Sequence, residues 1–148
     1  MPLIIGCGSL VRMDDGVGQA VAAALSERIA GAESIRCTQL TPELAEPISR
    51  ADAVIFIDAS AEGVPGSVRF AALEPEMGGG AFTHHVTPAS LLGAAASLYG
   101  HAPPAWLITV AGWSFDYGAA LSPKMNAFFT ALVDRAQLWI ESGFENGA

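Results

Sequence analysis

Leu3-Ile4-Ile5-Gly6-Cys7-Gly8, followed by a short polar loop and Asp14-Asp15-Gly16-Val17-Gly18, decides the fold of this chain. An apolar run without alternation is the mark of a strand buried on both faces, and the glycines at its end announce a tight loop. From Val17 to Ile29 the residues Val17, Val21, Ala24, Leu25 and Arg28 recur at helical spacing, and Gly31 offers a C-terminal stop. Strand, loop and helix in that order open a βαβ unit.

Working outward, 34–40 alternates weakly and reads as a second strand. Thr41-Pro42-Glu43-Leu44 places an N-cap residue, a first-turn proline and an acid ahead of a short helix, with a bend expected at Pro47. Ala53-Val54-Ile55-Phe56-Ile57-Asp58 is the clearest buried strand, rich in β-branched residues and closed by Asp58 at its C-terminal end. A strand over 66–71 follows so closely that an antiparallel edge is expected. After a loop containing Gly78-Gly79-Gly80, Thr87-Pro88 opens a helix to about Tyr99. Trp106 to Ala111 forms the last core strand, and Ser122-Pro123 caps a helix to about Ser142. The order βαβαββαβα specifies one α/β domain over residues 1–148. Its architecture is three-layer αβα around a mostly parallel, twisted sheet of about five strands.

Composition narrows the function. Hydrophobic residues make up 51% and charged residues 15% of the 148, enough for one packed core. The mean hydropathy of +0.40 comes largely from alanine. Every apolar run is interrupted before the roughly 20 residues that a spanning helix needs, so no membrane partner is expected. The N-terminus lacks a basic leader and runs directly into a core strand, which predicts cytoplasmic residence. A net charge of −8 repels phosphate backbones and excludes nucleic acid as a partner. Cys7 and Cys37 are expected as buried thiols rather than a disulfide.

In open parallel sheets, sites form beyond the carboxyl ends of the strands. The loop ending at Asp15, the strand ending at Asp58 and the loop leading to His84 and His85 converge there. Gly6-Cys7-Gly8 invites a dinucleotide reading, but the third glycine would fall at Val11. Asp14 and Asp15 also put negative charge where phosphates would sit. Each acid has a plain structural explanation: one of Asp14 and Asp15 capping the following helix, and Asp58 capping the turn near Ser60. Together, carboxylates and an imidazole on one rim form an O,O,N donor set suited to a divalent transition metal, with positions left open for a partner's ligand. No His-Glu-x-x-His and no Gly-x-Ser-x-Gly is present, so neither a zincin nor a serine-nucleophile elbow is indicated. Trp113, Phe115 and Tyr117 are expected to pack at the core or its rim, with partner docking as the other reading.

The stretch from Gly6 to Gly18 resembles the N-terminal signature of the hydrogenase maturation proteases, Gly-x-Gly-Asn followed by a loop and Asp-Asp/Glu-Gly-x-Gly. Thr41-Pro42-Glu43-Leu44, Val54-Ile55-Phe56-Ile57-Asp58-Ala59, Thr83-His84-His85 and Leu121-Ser122-Pro123 follow in that family's order. The departures are Ser9 in place of Asn and the doubled histidine. The resemblance implies metal contacts at Asp15, Asp58 and His84, with Asp15 and Asp58 also the catalytic candidates. It implies an endopeptidase that removes the C-terminal extension of a hydrogenase large-subunit precursor and recognises nickel carried by that precursor. Water activation by a carboxylate base or by the metal would both serve. A noncatalytic metal-binding assembly chaperone is the alternative from another functional class.

Overall fold

The computed structural model describes residues 2–77 and 85–144. Among these residues five strands form one sheet: β1 (Pro2–Cys7), β2 (Glu33–Cys37), β3 (Ala53–Ser60), β4 (Val68–Leu73) and β5 (Ala105–Ala111), in the order β2-β1-β3-β5-β4. The β1–β2, β1–β3 and β3–β5 pairs are parallel, and edge strand β4 is antiparallel. Its partner is β5 rather than β3, the strand that precedes it in the chain. Among the described residues four α-helices accompany the sheet: α1 (Val17–Arg28), α2 (Ala45–Ser49), α3 (Pro88–Tyr99) and α4 (Pro123–Glu141).

Alternation along the strands splits the core in two. Ile4, Ile55, Ile57, Ile108 and Val110 point toward α1 and α4, where they meet Val21, Leu25, Leu132 and Trp139. Leu3, Ile5, Val54, Phe56 and Ala105 point to the other face, against Ile48 of α2 and Leu91 and Leu92 of α3. With both faces covered, the strands carry the unbroken apolar runs seen in the sequence.

Several boundaries differ from the sequence expectation. β2 stops at Cys37, three residues short of Leu40, because 38 and 39 are exposed and have no strand to pair with. Pro47 sits within the first turn of α2, where its missing N–H costs nothing, and the helix runs on through it to Ser49. The change in winding falls earlier, where a 3-10 turn over Pro42–Leu44 passes into α2. Thr41 makes no side-chain cap there. Thr87 and Ser122 do cap, accepting from the backbone N–H groups of Ser90 and Met125.

β3 also runs past Asp58 to Ser60, because β5 stays paired with it to Ala111 after β1 has ended. Asp58 therefore lies just beyond the last β1–β3 rung, Gly6 with Ile57. From β1 the chain passes to β2 on one side, and β3 lies on the other. The strand order thus reverses at the β1–β3 boundary, where open sheets of this class present a crevice.

Candidate functional site

Two carboxylates, Asp15 and Asp58, lie at the carboxyl end of the β1–β3 boundary. After β1 the chain folds into a 3-10 turn over Met13–Gly16, entered through Met13 at φ 47°. This loop lies against the loop following β5: Met13 N–H donates to the Gly118 carbonyl, Gly118 N–H to Val11 and Asp14 N–H to Ser114, each at 3.0 Å. The turn divides its two acids. Asp14 points inward and Asp15 lies at the rim.

Asp14 has 0% exposure and accepts four hydrogen bonds. Its Oδ2 receives Trp113 N–H at 2.8 Å, Ser114 N–H at 3.1 Å and the Ser122 hydroxyl at 2.8 Å, while Oδ1 receives Ser122 N–H at 2.7 Å. Burial alone would raise its pKa, but these donors, Ser122 foremost, hold the carboxyl below the usual carboxylate range. The expected capping role is realised on a different helix. α1 has Gly16 at its N-cap and no side-chain cap, whereas Asp14 secures Ser122, the N-cap of α4.

Asp15 accepts Ser9 N–H at 2.7 Å on Oδ2. Asp58 accepts the N–H of its neighbour Ala59 at 2.8 Å on Oδ1. Among the described residues, the other oxygen of each carboxylate receives no hydrogen bond. Asp58 is open to solvent on one side. Even so, partial desolvation by its surroundings raises its carboxyl above the ordinary range; the Ala59 N–H opposes this and the negative charge of Asp15 adds to it. A cation between the two would relieve that repulsion.

Glycine makes this approach possible at two positions. A Cβ on Gly18, in the first turn of α1, would collide with the Ile57 carbonyl oxygen and lie 3.0 Å from that of Cys7. Gly8, at φ +149°, brings its backbone against the Asp15 carbonyl in the same way. Gly18 thus lets α1 press onto the ends of β1 and β3, and Gly8, one of the glycines that invited a dinucleotide reading, lets the 3-10 turn close on the end of β1.

His84 lies outside the described residues. His85 is exposed and stands just before the Thr87 cap of α3. Among the described residues no group of three His, Cys, Asp or Glu side chains is placed to hold a metal ion. The third donor expected from the sequence falls at His84.

Two contributors were missed in the sequence. Gln19, buried on the inner face of α1, donates from Nε2 to the carbonyls of Gly8 and Cys37 at 2.8 Å each, joining the ends of β1 and β2. A polar residue among Val17, Gly18 and Val21 was the available signal. Ser122 was read only as a cap, although its hydroxyl also donates to Asp14. Cys7 and Cys37 are unbridged, and half-buried where buried thiols were expected. The aromatic trio divides: Trp113 packs edge-on to Phe128 with ring centroids 6.1 Å apart, and Phe115 is partly buried against Gly112. Tyr117 is 82% exposed beneath the Arg12 guanidinium, 5.1 Å from its ring centroid.

No protein-family model matches this sequence, and no curated protein sequence matches it. Solved structures do match. A hydrogenase 2 maturation peptidase from a Thaumarchaeota archaeon is 26% identical, with a TM-score of 0.66 over 97% of this chain and 99% of that one. The [NiFe] hydrogenase maturation protease HycI of Thermococcus kodakarensis has 22% identity and a TM-score of 0.70, covering 95% and 92%. The maturating endopeptidase HybD of E. coli has 23% identity and a TM-score of 0.67, covering 96% and 93%. The likeness covers nearly the whole of each chain. In fold, and along nearly its whole length, the chain is similar to solved hydrogenase maturation proteases.

Proposed function

We propose that this chain is a processing endopeptidase that removes the C-terminal extension of a nickel-containing hydrogenase large-subunit precursor, reading the precursor's nickel at Asp15, Asp58 and His84. One observation carries the reading. Asp15 and Asp58 lie near each other at the carboxyl end of the β1–β3 boundary, and each has one carboxylate oxygen without a partner among the described residues. The end-to-end likeness to maturation peptidases supports assigning peptide cleavage to this rim.

The donors suit the ion. Two carboxylate oxygens and an imidazole nitrogen match a borderline divalent metal, and three protein ligands leave positions for the precursor's own ligands. Nickel on this reading is part of the substrate. It anchors the precursor so that the peptide bond to be cut lies beside Asp15 and Asp58, converting the encounter into a positioned reaction. Either a carboxylate taking a proton from water or water polarised by the substrate's metal provides the nucleophile. No described helix is long and apolar enough to cross a membrane, and we place the reaction in the cytoplasm.

The test uses purified chain and nickel-loaded precursor, followed by gel mobility and intact mass. The reading expects a shortened large subunit from the parent chain and none from Asp15→Asn, Asp58→Asn or His84→Ala. Normal trimming by all three variants would overturn it. A precursor that binds the parent chain but keeps its full length would identify a chaperone instead.

A further inference from the structure

We propose that Cys7 and Cys37 are a redox-active dithiol that a low-molecular-weight disulfide closes into a reversible intramolecular bridge beside the acidic rim. The two residues end adjacent parallel strands and are partners in register. Side chains in register leave the sheet on one face. For Cys7 it is the face of Leu3 and Ile5, and Cys37 packs against the same α2–α3 side of the core.

Their sulfurs reach toward each other's strands. Cys7 Sγ is 3.6 Å from the Thr38 carbonyl oxygen, just beyond β2, and Cys37 Sγ is 3.8 Å from the Gly6 carbonyl oxygen on β1. Neighbouring strands run about 4.8 Å apart, within the roughly 4.4–6.8 Å Cα separation that disulfides span. Gln19 fastens both strand ends through its two 2.8 Å bonds, and Gly8 N–H adds a 3.0 Å bond to the Cys37 carbonyl. The pair is held together and half-open to solvent.

The spacing also predicts the kind of bridge. In-register Cβ atoms stand about as far apart as the strands, wider than the roughly 3.8 Å between bridged Cβ atoms. Closure draws the ends of β1 and β2 together and strains the bond, and strained exposed disulfides are the readily reduced ones.

The exchange balances. One cysteine gives its proton to solvent and attacks a sulfur of R–S–S–R, breaking that bond and expelling R–S⁻, which takes up a proton. The second cysteine attacks the protein sulfur of the mixed disulfide, forming the Cys7–Cys37 bond and releasing a second R–SH. Two protein thiols are oxidised while one small disulfide is reduced to two thiols.

The bridge has a consequence for the rim, which rests on the function proposed above. Extending the β1–β3 register by one residue sets Cys7 beside Asp58, and the Gly8 backbone abuts Asp15. Closure therefore displaces both carboxylates and suppresses processing.

The experiment incubates the folded full chain with oxidised glutathione, then counts free thiols and measures intact mass. The expected result is loss of both thiols, a mass lower by two hydrogens and no retained glutathione, all reversed by dithiothreitol. Cys7→Ser and Cys37→Ser should each keep a glutathione adduct instead. Two thiols still free in the parent chain, or glutathione left on either cysteine without a bridge, would overturn the proposal. Trimming of nickel-loaded precursor before and after oxidation reads the consequence separately. A chain inactive in both states would count against the proposed function, while the thiol count would still decide the bridge.

Discussion

Asp14→Asn is the substitution whose outcome follows most directly from the geometry. The buried carboxylate presents Oδ2 to three donors and Oδ1 to Ser122 N–H. An asparagine placed to suffer least keeps its oxygen at the Oδ2 position and turns its NH2 toward Ser122 N–H, donor against donor. The charge-assisted bond lost there is worth about 1.5–3 kcal/mol, and a buried N–H left unpaired adds about 1–3 kcal/mol. The three remaining bonds weaken with the loss of charge, while partial relaxation offsets some of the cost, so we expect destabilisation of about 3 kcal/mol. That is a large share of the roughly 5–15 kcal/mol that holds a domain folded, and corresponds to a fall in Tm of roughly 6–12 °C. Urea unfolding should show a lower midpoint with an unchanged m value. Asp15→Asn is the control one residue away. It keeps an acceptor for Ser9 N–H at a partly exposed site and should cost less than about 1 kcal/mol. The pH dependence has a definite sign. Because the Asp14 pKa is lowered in the fold, its stabilising contribution is fully present above the ordinary carboxylate value and lost as pH falls through the folded one. A variant within about 0.5 kcal/mol of the parent would refute the claim that this carboxylate holds the two loops together.

Asp58→Asn should abolish processing without loss of stability at neutral pH. The Asp58 pKa is raised in the fold, so the native state binds that proton more tightly than the unfolded chain. Its contribution turns unfavourable as pH rises through the window between the ordinary and the raised value. Removing the charge should flatten this part of the stability–pH curve, and a clearly destabilised Asp58→Asn at pH 7 would contradict the account. Gly18→Ala drives a methyl group into the Ile57 carbonyl oxygen and should cost at least about 2 kcal/mol by chemical denaturation. Ser122→Ala removes the α4 cap and one donor to Asp14. A loss of about 1–2 kcal/mol is expected, and addition to Asp14→Asn should be incomplete because the two share a bond.

The layers and strand directions were legible in the sequence because burial on both faces leaves an unmistakable mark. The apolar runs 3–5 and 54–57 can belong only to central strands, and the helical spacing between them demands parallel crossovers. Less legible were the features set by pairing. The extension of β3 to Ser60 depends on β5, a strand some fifty residues further on by sequence number. The early end of β2 reflects missing partners rather than weak propensity. The docking of β4 on β5 rather than β3 likewise has no local signature.

The sequence by itself placed carboxylates at the end of the first loop and the third strand, because loop and strand endings are written in glycine, charge and β-branching. What only the tertiary structure decided is the difference between Asp14 and Asp15. Neighbours in the chain and identical in chemistry, they diverge because Met13 turns the backbone so that one carboxylate meets the N–H groups of a loop a hundred residues away. The other is left at the rim beside Asp58. Long-range hydrogen-bond donors have no imprint on the local sequence: resemblance pointed to Asp15, but that Asp14 is the acid tying the two loops together emerges only in three dimensions.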